Sequence, residues 1–247
     1  MEVPGPGRPL LSIVTINRNN AVELPRTLAS FAPLRHHPRV EFLFVDGLST
    51  DDSVAIAGRF YAPAEMVSEA DRGVFDAMNK GLRRSTGRYV LWINSGDMAS
   101  ANLAAQLPLL EQDHALMAFA VEVARADSVV EKVCWPSLER MPDGMIVHQG
   151  MVLNRRTLMA MGGYHERWRY TADFDVLLRL HLAGASLVCV PEVIARFHLG
   201  GLSSDLRAVA RERLEILHAN RAISRRTYAY RRLRHRLEGL RWPGVSP

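Results

Sequence analysis

Lysine is almost missing from this 247-residue sequence: Lys80 and Lys132 are the only two. Its cations are therefore nearly all arginines, whose planar, forked donors suit phosphate and carboxylate groups. Cysteine is as scarce, with Cys134 and Cys189 alone. Two thiols are too few for the disulfide framework of a small secreted domain, and both read as reduced structural residues. No apolar run reaches the ~20 residues that span a bilayer. The opening stretch MEVPGPGRPL has neither the basic start nor the apolar core of a secretory signal, so the chain is expected to be cytoplasmic. Internal repeats and low-complexity segments are also missing. So are G-x-G-x-x-G, the Walker loop, H-E-x-x-H and G-x-S-x-G, which argues against nicotinamide enzymes, P-loop NTPases, zinc peptidases and α/β-hydrolases.

What is present is ordinary for a globular chain: 48% hydrophobic and 23% charged residues, at a length that fits one large domain or a domain with an extension. The charge is unevenly placed. From Asp205 onward eleven arginines face four acidic residues, an excess of seven positive charges against +5 for the whole chain. A nucleic-acid enzyme would gather its basic groups around its site. Here they gather in a tail, and nucleic acid is not expected as a partner. Tyr228, Tyr230 and Trp242 stand among those arginines, the pattern of a basic helix lying on an anionic membrane surface. A helical pair packed back on the domain is the competing reading.

Along the first half, strand and helix patterns alternate. Residues 10–16, 40–46, 64–69 and 88–94 read as strands, with amphipathic helices between them. Such alternation predicts an α/β fold with a doubly wound, mostly parallel sheet and helices on both faces. The second half is less regular. Residues 116–123, 128–133 and 148–154 read as strands, with a bend at residues 125–127. A helix begins near Ala172 and ends at Gly184, short strands flank Pro191, and one or two basic helices run to about Leu240. The expected organisation is a flexible lead-in at residues 1–9, a catalytic domain at 10–204 split near residue 97, and an extension at 205–247.

Ligands of open α/β sheets bind beyond the carboxyl ends of the strands. Here those ends carry Asn17, Arg18, Asp46, Glu69, Asp71 and residues 94–97. Asp46 can accept from the imide or amide edge of uracil, thymine or guanine, or simply brace a turn. Asp97, on the tight turn Asn-Ser-Gly-Asp, offers a hard oxygen suited to Mg²⁺ or Mn²⁺, or again a turn brace.

The segments SIVTINRNN, EFLFVDGLSTDDSV, SEADRGVFDAMNKGLRRSTGRYVLWINSGD, HQGMVLNRRTL, GGYHERWRYTADFDVLLRL and FHLGGLSS occur in the order seen in bacterial family-2 glycosyltransferases. The chain resembles those of exopolysaccharide and glycolipid assembly over about residues 10–204. The resemblance implies a GT-A fold, a nucleotide-diphosphate sugar donor (UDP-, GDP- or dTDP-linked), a saccharide or glycolipid acceptor, Mn²⁺ or Mg²⁺, and an inverting displacement. On this reading Thr15, Asn17 and Arg18 line the nucleoside pocket and Asp46 holds the base. Asp71 and Arg72 lie along the nucleotide, with Asn79 and Lys80 on the helix behind. Asp97 matches the last carboxylate of the D-x-D metal motif, Ser95 stands at its first position, and His198 belongs to a closing loop near the diphosphate. Asp173 matches the catalytic base, with an ordinary carboxylate pKa near ~3.9 expected for it; Asp175 is its rival. The other class of reading is a catalytically silent sugar-nucleotide-binding subunit.

Overall fold

The computed structural model describes residues 8–125, 129–200 and 205–237. The sequence expectations for residues 1–7, residues 126 and 127 of the bend, the Gly-Leu-Ser-Ser stretch at 201–204 and the terminal residues including Trp242 lie outside the described residues.

The first half is a β–α succession. Its strands are β1 (Leu11–Asn17), β2 (Val40–Asp46), β3 (Met66–Ser68) and β4 (Tyr89–Trp92), all paired in parallel in the order β3-β2-β1-β4. The helices between them are α1 (Leu24–Ser30), α2 (Ser53–Ala57) and α3 (Val74–Arg84). Side chains alternate across the sheet with a period of two. Leu11, Ile13, Phe42, Phe44, Tyr89 and Leu91 pack against α1 and α2, whereas Val14, Ile16, Leu43, Val45, Val90 and Trp92 pack against α3. Both faces are covered, which is why these strands read as continuous apolar runs.

Beyond β4 antiparallel neighbours enter the sheet. The remaining strands are β5 (Met98–Ala99), β6 (Leu116–Ala124), β7 (Val130–Cys134), β8 (Met151–Asn154) and β9 (Leu187–His198). The α/β expectation holds, with the longest pairings, β1 with β2 and β6 with β9, parallel. β8 is antiparallel to both β4 and β6, β7 is antiparallel to β6, and β9 runs parallel to β6 but antiparallel to β5. The segments linking these strands allow reversals that the βαβ units of the first half do not. The expected pair of strands around Pro191 is one strand: its register steps from Val190 opposite Phe119 to Val193 opposite Ala120. Pro191 has no N–H to give to the ladder, so it and Glu192 bulge out and pairing resumes beyond them.

Four further helices and a short turn of helix complete the cover: α4 (Leu103–Gln106), α5 (Arg155–Ala160), α6 (Ala172–Leu182), α7 (Leu206–Ala219) and α8 (Arg225–Leu237). Packing does not stop at residue 204. Ile216 and Leu217 of α7 are fully buried in the same apolar cluster as Leu177 and Leu178 of α6 and Val14 of β1. The expected boundary followed charge, which did not reveal the buried face of α7. Arg231 of α8 also pairs with Asp143 at 2.6 Å. Among the described residues no helix is long and apolar enough to cross a membrane.

Candidate active site

The carboxyl ends of β1, β2 and β3 converge on Asp46. It is fully buried. Its oxygens accept from Asn17 Nδ2 at 3.0 Å, the Ser49 hydroxyl and the Ser49 N–H at 2.9 Å, and the Ser68 hydroxyl at 2.7 Å. Burial alone would push its pKa up, but the donors of Ser49, Asn17 and Ser68 together outweigh it and hold the carboxyl below its ordinary value. The free acceptor edge that the sequence reading gave Asp46 is thus already occupied, by two serines that the reading did not single out. Its present task is to tie three strand ends together. Asn17 keeps one buried oxygen, Oδ1, without a hydrogen-bond partner.

Gly47 follows directly, and its lack of a side chain is required. A Cβ there would lie 2.1 Å from Asp71 Oδ2 and 3.4 Å from Arg18 Cδ. Asp71 is therefore laid over the β2 turn, with Arg18 Nη1 3.8 Å from its carboxylate. Arg18 and Arg72 have largely exposed side chains, and Arg72 reaches Glu166 at 2.7 Å and Asp76 at 3.3 Å.

Three expected contact residues turn inward. Thr15 is fully buried in mid-strand, and its Oγ1 accepts from the Tyr61 hydroxyl at 3.2 Å. The pleat aims it at the α1–α2 side of the sheet, away from the strand ends. Asn79 donates to the Tyr164 carbonyl at 2.8 Å and accepts from the Tyr164 N–H at 2.9 Å, tying α3 to the loop before α6. Lys80 pairs with Glu69 at 3.1 Å and donates to the Ala70 carbonyl, bracing the loop that carries Asp71 and Arg72.

The other end of the site is built on the turn after β4. Gly96 has φ of +105°, a conformation that side-chain-bearing residues rarely adopt. Its N–H donates to Thr27 Oγ1 at 2.9 Å and its carbonyl accepts from Arg26 Nε at 3.1 Å. This turn drives Asp97 into the interior. Pairing of Met98 with Arg196 brings the end of β9 alongside, and the His198 N–H donates to Asp97 Oδ1 at 3.0 Å. Gln149 Nε2 donates to Asp97 Oδ2 at 2.7 Å. Burial raises the Asp97 pKa to about 7. Both ring nitrogens of His198 are buried without a hydrogen-bond partner, as are Ser95 Oγ and Asn94 Oδ1. Buried polar atoms are normally paired, so this cluster of open positions beside one carboxylate is chemically notable. Among the described residues no group of three or more His, Cys, Asp or Glu gathers to hold a metal.

Asp173 occupies the first turn of α6 and is buried, with its Oδ1 accepting the Phe174 N–H at 2.9 Å. Its pKa is raised to about 6, chiefly because burial removes water from the charged form. The ordinary value expected from sequence is corrected accordingly. The rival, Asp175, is fully buried and engaged on both oxygens: Arg179 Nε and His165 Nδ1 lie 2.8 Å from Oδ2, and Asn220 Nδ2 lies 2.9 Å from Oδ1. It braces α6 against its neighbours, with both oxygens engaged by side chains of this chain.

The family model for Glycosyl transferase family 2 matches residues 12–149, more than half of the chain. The chain belongs to that family. It is 30% identical over 199 residues to an uncharacterized glycosyltransferase of Mycobacterium tuberculosis, covering 75% of this chain and 72% of the relative. It is 27% identical over 208 residues to a PGL/p-HBAD biosynthesis glycosyltransferase of Mycobacterium bovis, covering 80% of each. Among solved structures, the Pyrobaculum calidifontis mannosyltransferase PcManGT, in complex with GDP-Man and Mn²⁺, superposes with a TM-score of 0.66 at 17% identity, covering 88% of this chain and 66% of that one. TarS of S. aureus in complex with UDP-GlcNAc gives 0.63 at 15% identity, covering 84% of this chain and 66% of that one. Against a longer TarS chain, this family-2 chain spans only 39% of the length. These likenesses show the GT-A fold.

Proposed function

We propose that this family-2 glycosyltransferase moves one sugar, with inversion, from a nucleotide-diphosphate donor to a hydroxyl acceptor. The observation that carries the proposal is the Asp97 turn: a buried carboxylate that takes the His198 N–H, in a segment where Asn94, Ser95 and the His198 ring keep buried polar atoms open, at the strand ends where α/β sheets bind ligands. The nucleoside end is assigned to Asn17, Arg18 and Asp71 around the Asp46 hub, with Arg72 reaching along the nucleotide. Asn79 and Lys80 act from behind, by holding the loops. Bound nucleotide sugars in PcManGT and TarS support a donor of this class.

Asp97 and His198 fit a divalent cation, because each oxygen of Asp97 accepts only one bond and the His198 ring nitrogens are open. With a single carboxylate, such an ion relies on diphosphate oxygens to complete its shell. Mn²⁺ or Mg²⁺ held there would offset charge on the departing diphosphate. In the transfer itself, the acceptor oxygen forms its bond to C1 of the sugar on the face opposite the diphosphate. The C1–O bond to the diphosphate breaks with its electron pair, and the acceptor proton passes to Asp173. At neutral pH a group with a pKa near 6 is mostly ionised yet still basic, close to the optimum for general-base work. The relative named for PGL/p-HBAD biosynthesis supports a saccharide or glycolipid acceptor. Exposed Arg225, Arg226 and Arg232 beside exposed Tyr230 and Leu233 on α8 would bring the enzyme to an anionic membrane surface.

The test is incubation of the pure protein with UDP-, GDP- and dTDP-sugars and Mn²⁺. Slow release of nucleoside diphosphate is expected from one of them. Binding without turnover across the whole panel would instead identify a silent binding subunit.

A further inference from the structure

Glu212 lies on α7, in the segment that charge alone assigns to a basic tail, yet it is buried. Its carboxylate accepts four hydrogen bonds from one short stretch of chain. Oε1 takes the Thr171 N–H at 2.6 Å, the Tyr170 N–H at 2.8 Å and the Thr171 hydroxyl at 3.0 Å, while Oε2 takes the Arg169 N–H at 2.7 Å. Three successive N–H groups directed at one carboxylate form a concave turn whose shape depends on that anion. The turn ends on Thr171, the cap residue of α6, two positions before Asp173.

The next residue on α7 grips the same turn of α6 from another side. Arg213 is buried, its guanidinium lies 4.4 Å from the centre of the Phe174 ring, and it donates to the Asp143 and Gly144 carbonyls at 2.8 and 3.1 Å. The helix behind these two residues is itself fixed, by the buried Ile216 and Leu217 and by the bond from Asn220 to Asp175. A buried carboxylate is an expensive way to hold a loop, and an apolar plug would give equal stability. What the carboxylate adds is direction: it fixes the path of three consecutive peptide groups leading into Asp173.

We propose that Glu212 is a positioning residue for the acceptor-side base, setting the turn at residues 169–171 so that Asp173 meets the attacking hydroxyl in one orientation. The proposal rests on the reading of Asp173 as the base. Misplacement of a reacting group by about 1 Å costs on the order of 100-fold in rate. In the full chain, Glu212→Gln keeps the shape and one good acceptor, and Glu212→Ala removes both. Turnover is expected to fall about 10-fold for Gln and about 100-fold for Ala, while nucleoside-diphosphate affinity stays within about twofold, because the strand-end pocket is untouched. The acid limb of the pH–rate profile should also move down in Glu212→Gln, since a nearby negative charge that opposes ionisation of Asp173 is gone. Unchanged turnover in Glu212→Gln would overturn the proposal. So would parallel losses of turnover, nucleotide affinity and melting temperature, which is the signature of a purely structural residue. If Glu212→Ala does not fold, Glu212→Gln decides alone. Asp173→Asn separates the two ideas: an inactive Asp173→Asn beside a fully active Glu212→Gln sinks only the positioning role, whereas an active Asp173→Asn sinks the base assignment on which it rests.

Discussion

Replacing Asp173 by Asn should abolish transfer and stabilise the fold, because in the parent this carboxylate makes activity rise and stability fall as pH rises. The folded pKa of about 6 stands above the ordinary value of 3.8 because the carboxylate is buried. Below about pH 4 the group is neutral in both folded and unfolded chains, and burial costs nothing extra. As pH rises from about 4 to 6 the unfolded chain releases this proton while the folded chain keeps it, so stability falls through that window. Two pKa units correspond to about 3 kcal/mol of standing cost at neutral pH. Asn has nearly the same shape, its oxygen can still accept the Phe174 N–H, and it carries no charge to desolvate. At pH 7.5 the variant should therefore melt about 6–12 °C higher than the parent, given about 2–4 °C per kcal/mol at this chain length. The gap should close by pH 4. Activity runs the other way: for the parent, nucleoside-diphosphate release at saturating Mn²⁺ should drop about tenfold between pH 7 and pH 5, as the base becomes protonated. Differential scanning fluorimetry across pH 4–8 with donor-turnover assays reads both. A variant that melts no higher than the parent at pH 7.5 would refute the burial argument, and one that keeps most of its turnover would refute the base assignment.

Three further outcomes follow from other parts of the site. Asp97→Ala should weaken donor binding at least tenfold in Mn²⁺ but little in EDTA, measured by titration calorimetry; equal losses in the two conditions would make Asp97 a brace for its turn only. Gly47→Ala puts a Cβ where Asp71 Oδ2 now sits, so Asp71 must swing away and nucleotide affinity should fall, and unaltered affinity would show that Asp71 is not part of the pocket. Reversing Arg225, Arg226 and Arg232 of α8 to Glu should abolish sedimentation with anionic vesicles without lowering turnover of soluble donor, and a parent protein that ignores such vesicles would end the membrane reading.

The parallel half of the molecule was legible because its signals are local. A seven-residue run with five apolar members, Val40–Asp46, becomes a largely buried strand with the bounds that its composition suggests. The mixed half was less so, since whether a strand such as Met151–Asn154 runs up or down beside Tyr89–Trp92 depends on connections with no periodic signature. Within the site, residue types at strand ends did not reveal which polar side chains turn inward. Thr15 alternates to the inner face, and Asp46 is saturated by serines whose part depends on the closure of neighbouring strands. Gln149 was noticed as a polar residue, yet its bond to Asp97 joins positions 52 residues apart.

The C-terminal segment shows most clearly why charge misleads. Eleven arginines between Asp205 and the end make it look like a solvated appendage. A helix, however, presents its faces separately, and α7 buries Ala208, Glu212, Arg213, Ile216 and Leu217 on the face that meets the domain. The spacing of these five positions, four, one, three and one apart, is the helical signature of a buried stripe, and two of its members are charged. Counting net charge over the segment therefore hid the two charged residues that are packed inside. Those are the ones that reach α6, and they tie the chain after residue 204 to the turn that presents Asp173. A chain ending near Ser204 would lose Ile216 and Leu217 from the core together with the carboxylate that shapes residues 169–171, so it is the single substitutions at Glu212, and not removal of the segment, that distinguish positioning from folding.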